Sequence, residues 1–157
     1  MRHIAMSLVV VLLSLAPAVA AGQAARTPPE AQQEILKFEL TSDRADHLIT
    51  ALAAMTKYFV SLSDYKARIV RLAKMTPTER LEAMEKDAGA MAILKQNGLT
   101  AREYSIGVPA LRMAVLKAQD VDLPNIIASP ANVKFAKANL ATIKPKLDAI
   151  DGGAAKK

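Results

Sequence analysis

The chain has no cysteine and no tryptophan, and its 157 residues include two histidines, three tyrosines and three phenylalanines. Without cysteine there is no disulfide, no thiolate metal site and no cysteine nucleophile. The fold must therefore be held by packing alone. So few aromatic rings leave little to stack on bases, which argues against a nucleic-acid partner. His3 falls in the first few residues, so His47 is the one histidine left for acid–base chemistry in the body of the chain.

Long apolar runs are equally scarce, and the one present sits at the start. Ile4 to Leu15 is apolar apart from Ser7 and Ser14, Met1-Arg2-His3 supplies a basic beginning, and Pro17 breaks the helix. Ala18-Val19-Ala20 then offers the small-x-small pattern that a signal peptidase needs. A run of roughly a dozen residues falls short of the ~20 that a permanent span requires. Residues 1–20 thus read as a cleaved signal peptide, with no transmembrane span after cleavage. The absence of cysteine removes a lipid anchor and fits a bacterial periplasm better than a disulfide-building compartment.

The formal net charge is +6. Removing residues 1–20 takes Arg2 away and leaves 20 cationic against 15 anionic side chains, a net of +5. Such a surplus favours anionic surfaces and acidic proteins.

Residues 21–39, small, polar and broken by Pro28 and Pro29, read as a flexible leader. Within it Ile35 to Leu40 has apolar residues able to dock on the domain, as a helical turn or an extended strip. A bundle domain is expected over 40–151, and a disordered basic tail over 152–157. Thr41 or Ser42 caps a helix whose stripe holds Ala45, Leu48, Ile49, Leu52, Met55, Phe59 and Leu62. The pattern continues past Ser63-Asp64 to Ala73, as one long helix or two.

Thr76-Pro77-Thr78-Glu79 is a capping box with proline at the first helical position. Leu81, Met84, Ala88, Met91 and Leu94 predict a single helix from there to Asn97-Gly98, where glycine closes the end. Thr100 and Glu103 form a second capping box, with Leu99 placed to staple onto Tyr104. The helix that follows contains Gly107 and Pro109, and proline removes a backbone hydrogen bond and crowds the Ser105 carbonyl, so a kink is expected. Ser129-Pro130 opens the last helix, in which Val133, Ala136, Leu140, Ile143, Leu147 and Ile150 form a narrow seam up to Gly152-Gly153. The expected architecture is all-α, an up-and-down bundle of about four helices with one kinked at Gly107/Pro109.

The candidate chemistry is sparse. Asp43 and His47 lie four apart on one helix face, but two ligands are too few for a closed metal site. A haem would need His47 paired with Met55, Met84, Met91 or Met113 on a facing helix. Methionine in a stripe is ordinarily core filler. Glu79, Glu82, Glu85 and Asp87 read as a solvated face, with Glu82 and Lys86 an ordinary ion pair. No Glu-x-x-His pair is present to suggest a di-iron bundle. At the kink, Tyr104, Gly107, Pro109 and Leu111 are candidates for a ligand or partner groove. Asn132 and Asn139, seven apart, share a face and can hydrogen-bond a neighbouring segment.

Asn97-Gly98-Leu99-Thr100-Ala101-Arg102-Glu103-Tyr104, followed by Asn132-Val133-Lys134-Phe135 and Asn139, resembles a group of small exported helical proteins of proteobacteria. The resemblance implies a periplasmic helical domain over about residues 40–150 and no catalytic residue. The reading is a non-enzymatic binding or interaction module without a cofactor, its partner an envelope protein or a small apolar molecule. A haem or metal carrier is the alternative.

Overall fold

Leu40 is buried although it lies outside any helix, because the side chain of Asn132 holds the backbone on either side of it. That clamp holds the chain between its first two helices in a computed structural model that describes residues 30–121 and 126–154. Residues 1–20, expected to be a signal peptide, residues 21–29 of the expected leader, residues 122–125 and the last three residues lie outside the described ones.

Among the described residues the chain is helical throughout, with no strand, in seven helices. These are α1 (Glu30–Lys37), α2 (Ser42–Ser61), α3 (Tyr65–Lys74), α4 (Pro77–Glu85), α5 (Ala88–Gln96), α6 (Ala101–Ala118) and α7 (Pro130–Ala154). The all-α expectation holds, while the count of about four does not, for local reasons. Residues 30–37, expected within a flexible leader, form α1. Ile35 is buried with Ala110 and Met113, and Arg102 pairs with Glu34 to tie α1 to α6. The stretch 43–75 divides at Ser63-Asp64 into α2 and α3.

The single helix expected after Thr76 is also two. Asp87 caps α5 by accepting from the Gly89 and Ala90 amides, and α4 ends at Glu85 before it. The apolar spacing runs across this break without a glycine or proline to announce it. Both capping boxes form, at Thr76/Glu79 and Thr100/Glu103. Gly98 takes a φ of 66°, and its neighbours close α5 with bonds from Gly98 N–H to the Lys95 carbonyl and from Leu99 N–H to the Leu94 carbonyl. Asp120 ends α6 the same way at φ 57°.

α6 runs uninterrupted through Gly107 and Pro109. Proline costs roughly 3 kcal/mol in an ordinary helix interior. Burial of Ala110, Leu111, Met113, Ala114 and Val115 just beyond it offsets that cost. α7 likewise continues through Pro145, and through the Gly152-Gly153 pair expected to end it. There Arg112 of α6 grips Asp151 with two hydrogen bonds, at 2.7 and 2.9 Å, and keeps the last turn wound.

α6 is the central element. It packs most extensively on α7 and also receives α1, α2, α4 and α5. One core cluster joins α2, α6 and α7 through Leu48, Leu111, Ala114, Ala136, Ile143 and Leu147. A second joins α2, α5 and α6 through Met55, Leu94 and Tyr104. No helix among the described residues is long and apolar enough to cross a membrane.

Candidate functional site

Pro130 takes the first position of α7, where its missing N–H costs no helical hydrogen bond. Before it Ile126, Ile127 and Ala128 are non-helical and pack on the buried cluster of Ile35, Ala110 and Met113. Leu36 on α1 and Val133 on α7 face the same space. Together they line an open groove of about 640 Å³. Three lysines stand in its wall, Lys117 from α6 and Lys134 and Lys137 from α7. Lys134 and Lys137 are three apart, hence on one helix face. Asp120 lies 3.7 Å from Lys137, both side chains being largely in solvent. An apolar floor beside clustered ammonium groups suits a molecule that is apolar over most of its length and anionic at one end.

Asn132 builds this corner. It is 2 % exposed, its Nδ2 donates to the Phe38 carbonyl at 2.6 Å, and its Oδ1 accepts from Leu40 N–H at 3.0 Å. Ser129 Oγ accepts from the Asn132 amide and starts α7. The side chain of Asn132 thus ties the segment that follows α1 to the first turn of α7, beside the groove that Leu36 and Val133 line. Asn139, on the same face, bonds the Phe135 carbonyl of its own helix.

The residues expected around a kink lie elsewhere. Tyr104, Gly107 and Leu111 are buried in the core, and Pro109 is half-buried. A Cβ on Gly107 would come within 2.8 Å of Leu48 Cδ2 and 2.9 Å of Phe38 Cζ, so this glycine is where α2 and the 38–40 strip approach α6. Burial raises the Tyr104 pKa above its ordinary value, against a smaller opposing effect of Arg112.

His47 is exposed on α2. Met55, Met84 and Met91 belong to or pack on the cluster of Leu94 and Tyr104, and Met113 lies with Ile35. The arrangement expected for a haem, His47 facing one of these methionines across the bundle, is not what the fold builds. Among the described residues no three His, Cys, Asp or Glu side chains come together as a metal site would require.

The acidic face expected on residues 79–87 is solvated only in part. Glu82 and Lys86 form the surface pair, 3.8 Å apart. Asp87 instead turns inward, where its carboxylate accepts from Tyr58 Oη at 2.7 Å and from Arg68 at 2.6 Å. Burial alone pushes the Asp87 pKa up, but the Ala90 amide, Tyr58 and Arg68 together outweigh it and the group titrates below its ordinary value. Tyr58 is raised, first by its hydrogen bond to Asp87 and then by burial. Both oxygens of this carboxylate are engaged, which suits a joint between α2, α3 and α5 better than a reacting group.

Sequence reasoning missed the groove. Its lining comes from helices far apart in the chain, and no local spacing relates Leu36 or Lys117 to Lys134. No family model, curated protein or solved structure matches the chain.

Proposed function

We propose that this chain is a non-enzymatic binding module of the bacterial periplasm, and that it takes an amphiphile with an anionic head in the groove between α1, α6 and α7. One observation carries the reading: the apolar floor of Leu36, Ile127 and Val133 adjoins Lys117, Lys134 and Lys137. An acyl chain on the floor gains from leaving water, at about 0.8 kcal/mol per buried methylene. A carboxylate at the lysines keeps one side in solvent, so neither it nor the ammonium groups are stripped of water. The reading of residues 1–20 as a signal peptide supports the periplasmic address. The scarcity of histidine and the lack of cysteine support a role without catalysis.

Titration calorimetry with dodecanoate and with dodecanol tests this. Dodecanoate should bind with one molecule per chain and dodecanol more weakly. The Lys134→Glu/Lys137→Glu variant should bind dodecanoate about tenfold less tightly, as expected for two partly exposed charges. Equal affinity for the two probes, or no effect of the variant, would exclude this groove as an amphiphile site. Binding of neither probe would turn attention to an envelope protein as the partner.

A further inference from the structure

α3 differs from every other helix in its charge, and the fold uses little of it. Its ten residues hold Lys66, Arg68, Arg71 and Lys74 and no acid, a charge of +4. The described residues as a whole, 30–121 and 126–154, carry 17 cationic and 14 anionic side chains, a net of +3. The rest of the domain is therefore slightly acidic, and its basic character resides in this one element.

The helix contributes no buried residue. It is held by its inner face, where Tyr65, Arg68, Ile69 and Leu72 are half-buried. Arg68 takes both neighbouring carboxylates, Asp87 at 2.6 Å and Asp64 at 3.6 Å, and lies over the Phe59 ring. The outer face is left with Lys66, Arg71 and Lys74, none of which has an acidic partner among the described residues. Between them is Val70, 57 % exposed, which stands out as the exposed large hydrophobic side chain of the described surface. Exposed Ala67 and Ala73 flank it.

We propose that α3 docks its outer face on an anionic lipid surface, with Lys66, Arg71 and Lys74 at the headgroups and Val70 inserted between them. The face is about 15 Å long at 1.5 Å per residue, and its cations surround a single apolar tip, Val70, rather than an extended apolar strip. A fluid layer of negative charge accommodates such a face, because lipids rearrange around the cations while the small apolar tip reaches the acyl boundary. A folded acidic partner would have to supply a pocket matched to Val70 as well as the charges, whereas a lipid layer needs no preformed match. This site is separate from the groove of α1, α6 and α7 and does not depend on it.

Co-sedimentation with vesicles of phosphatidylcholine, with and without phosphatidylglycerol, reads the proposal out on the full chain. Three chains are compared: the wild type, Lys66→Gln/Arg71→Gln/Lys74→Gln, and a control with the same loss of charge, Lys37→Gln/Lys86→Gln/Lys95→Gln. Any contribution of the apolar amino-terminal run is common to all three, so the differences between them isolate α3. Each cation near an anionic surface contributes about fivefold in affinity. The α3 variant should therefore bind phosphatidylglycerol vesicles roughly a hundredfold more weakly than wild type, and the control should keep most of its binding. Wild-type binding should weaken as salt rises. At fixed charge Val70→Leu should strengthen binding and Val70→Ser should weaken it several-fold, with circular dichroism unchanged because Val70 supports no core.

Equal losses in the two triple variants would overturn the proposal in favour of net charge. Insensitivity to both Val70 changes would overturn the inserted face. Absence of phosphatidylglycerol-dependent binding, with or without capture of an acidic protein through the same lysines, would overturn the lipid assignment altogether.

Discussion

Leu40 donates its backbone N–H to the Oδ1 of Asn132 at 3.0 Å, joining positions 92 residues apart where the segment between α1 and α2 meets the first turn of α7. The same amide donates to the Phe38 carbonyl, so one side chain satisfies two backbone groups that no helix can.

Replacing Asn132 with alanine leaves both groups unpaired in a buried place. Each unsatisfied group costs about 1–3 kcal/mol. Asn132→Ala should accordingly lose roughly 2–4 kcal/mol in urea denaturation, and amide exchange should accelerate over 30–40 before the rest of the domain opens. Asn132→Asp keeps the acceptor for Leu40 but buries a carboxylate oxygen against the Phe38 carbonyl, so at neutral pH it should be at least as destabilising as alanine. Unchanged protection over 30–40 in the alanine variant would mean that packing of Ile35 alone holds α1.

Gly107 and Gly152 both lie inside helices, yet alanine should act on them with opposite sign. In an open helix position Gly→Ala gains up to about 1 kcal/mol. Nothing lies within 4 Å of a Cβ on Gly152, so Gly152→Ala should stabilise. At Gly107 the new methyl would meet Leu48, which is fully buried and has nowhere to move. Overpacking costs about 1–3 kcal/mol, so Gly107→Ala should destabilise by about 1 kcal/mol net. A gain at both sites would show that α2 can withdraw from α6 freely.

These two glycines also mark what could be read from the chain. Features written in a few adjacent residues were legible: the Thr76/Glu79 and Thr100/Glu103 boxes, the left-handed Gly98, and the buried part of the Ala136–Ile143–Leu147 seam. Features that depend on a distant partner were not. The break at Lys86-Asp87 arises because Tyr58 and Arg68, on other helices, pull the Asp87 carboxylate inward and make it a cap. α1 looks like a leader by composition and becomes a helix because Ala110 and Met113 offer Ile35 a place. Gly152-Gly153 stays wound because Arg112 reaches Asp151 from α6. The groove is illegible for the same reason, since it exists only where three helices and the 126–128 segment meet.

The depressed pKa of Asp87 makes the α2–α3–α5 joint sensitive to acid. A carboxyl that titrates lower when folded than when unfolded binds fewer protons in the native state. Its contribution is therefore complete above the unfolded value of about 3.9 and is lost as pH falls through the folded value. Glu79 and Glu103, held low mainly by their capping hydrogen bonds to Thr76 and Thr100, act in the same direction. Stability measured by urea midpoint should thus decline below about pH 4 in the wild type. Asp87→Asn should be less stable at neutral pH and decline less steeply, because Glu79 and Glu103 titrate in both proteins. Parallel declines would show that Asp87 keeps no special interaction in the native state.

The Arg112–Asp151 pair should govern the end of α7 rather than the whole domain. Its two parallel hydrogen bonds are partly shielded, and a fork of this kind is stronger than a single surface contact. Removing the carboxylate in Asp151→Ala releases the last turn, where Gly152 and Gly153 have little intrinsic tendency to stay helical. Amides from about 149 to 154 should then exchange much faster, while Ile143 and Leu147, buried in the core of α2, α6 and α7, hold the preceding turns. Arg112→Lys should give most of the same effect, since an ammonium cannot donate to both oxygens in the planar fork. Equal exchange in wild type and Asp151→Ala would mean that the final turn is wound by its own backbone and the packing of Ile150, without help from Arg112.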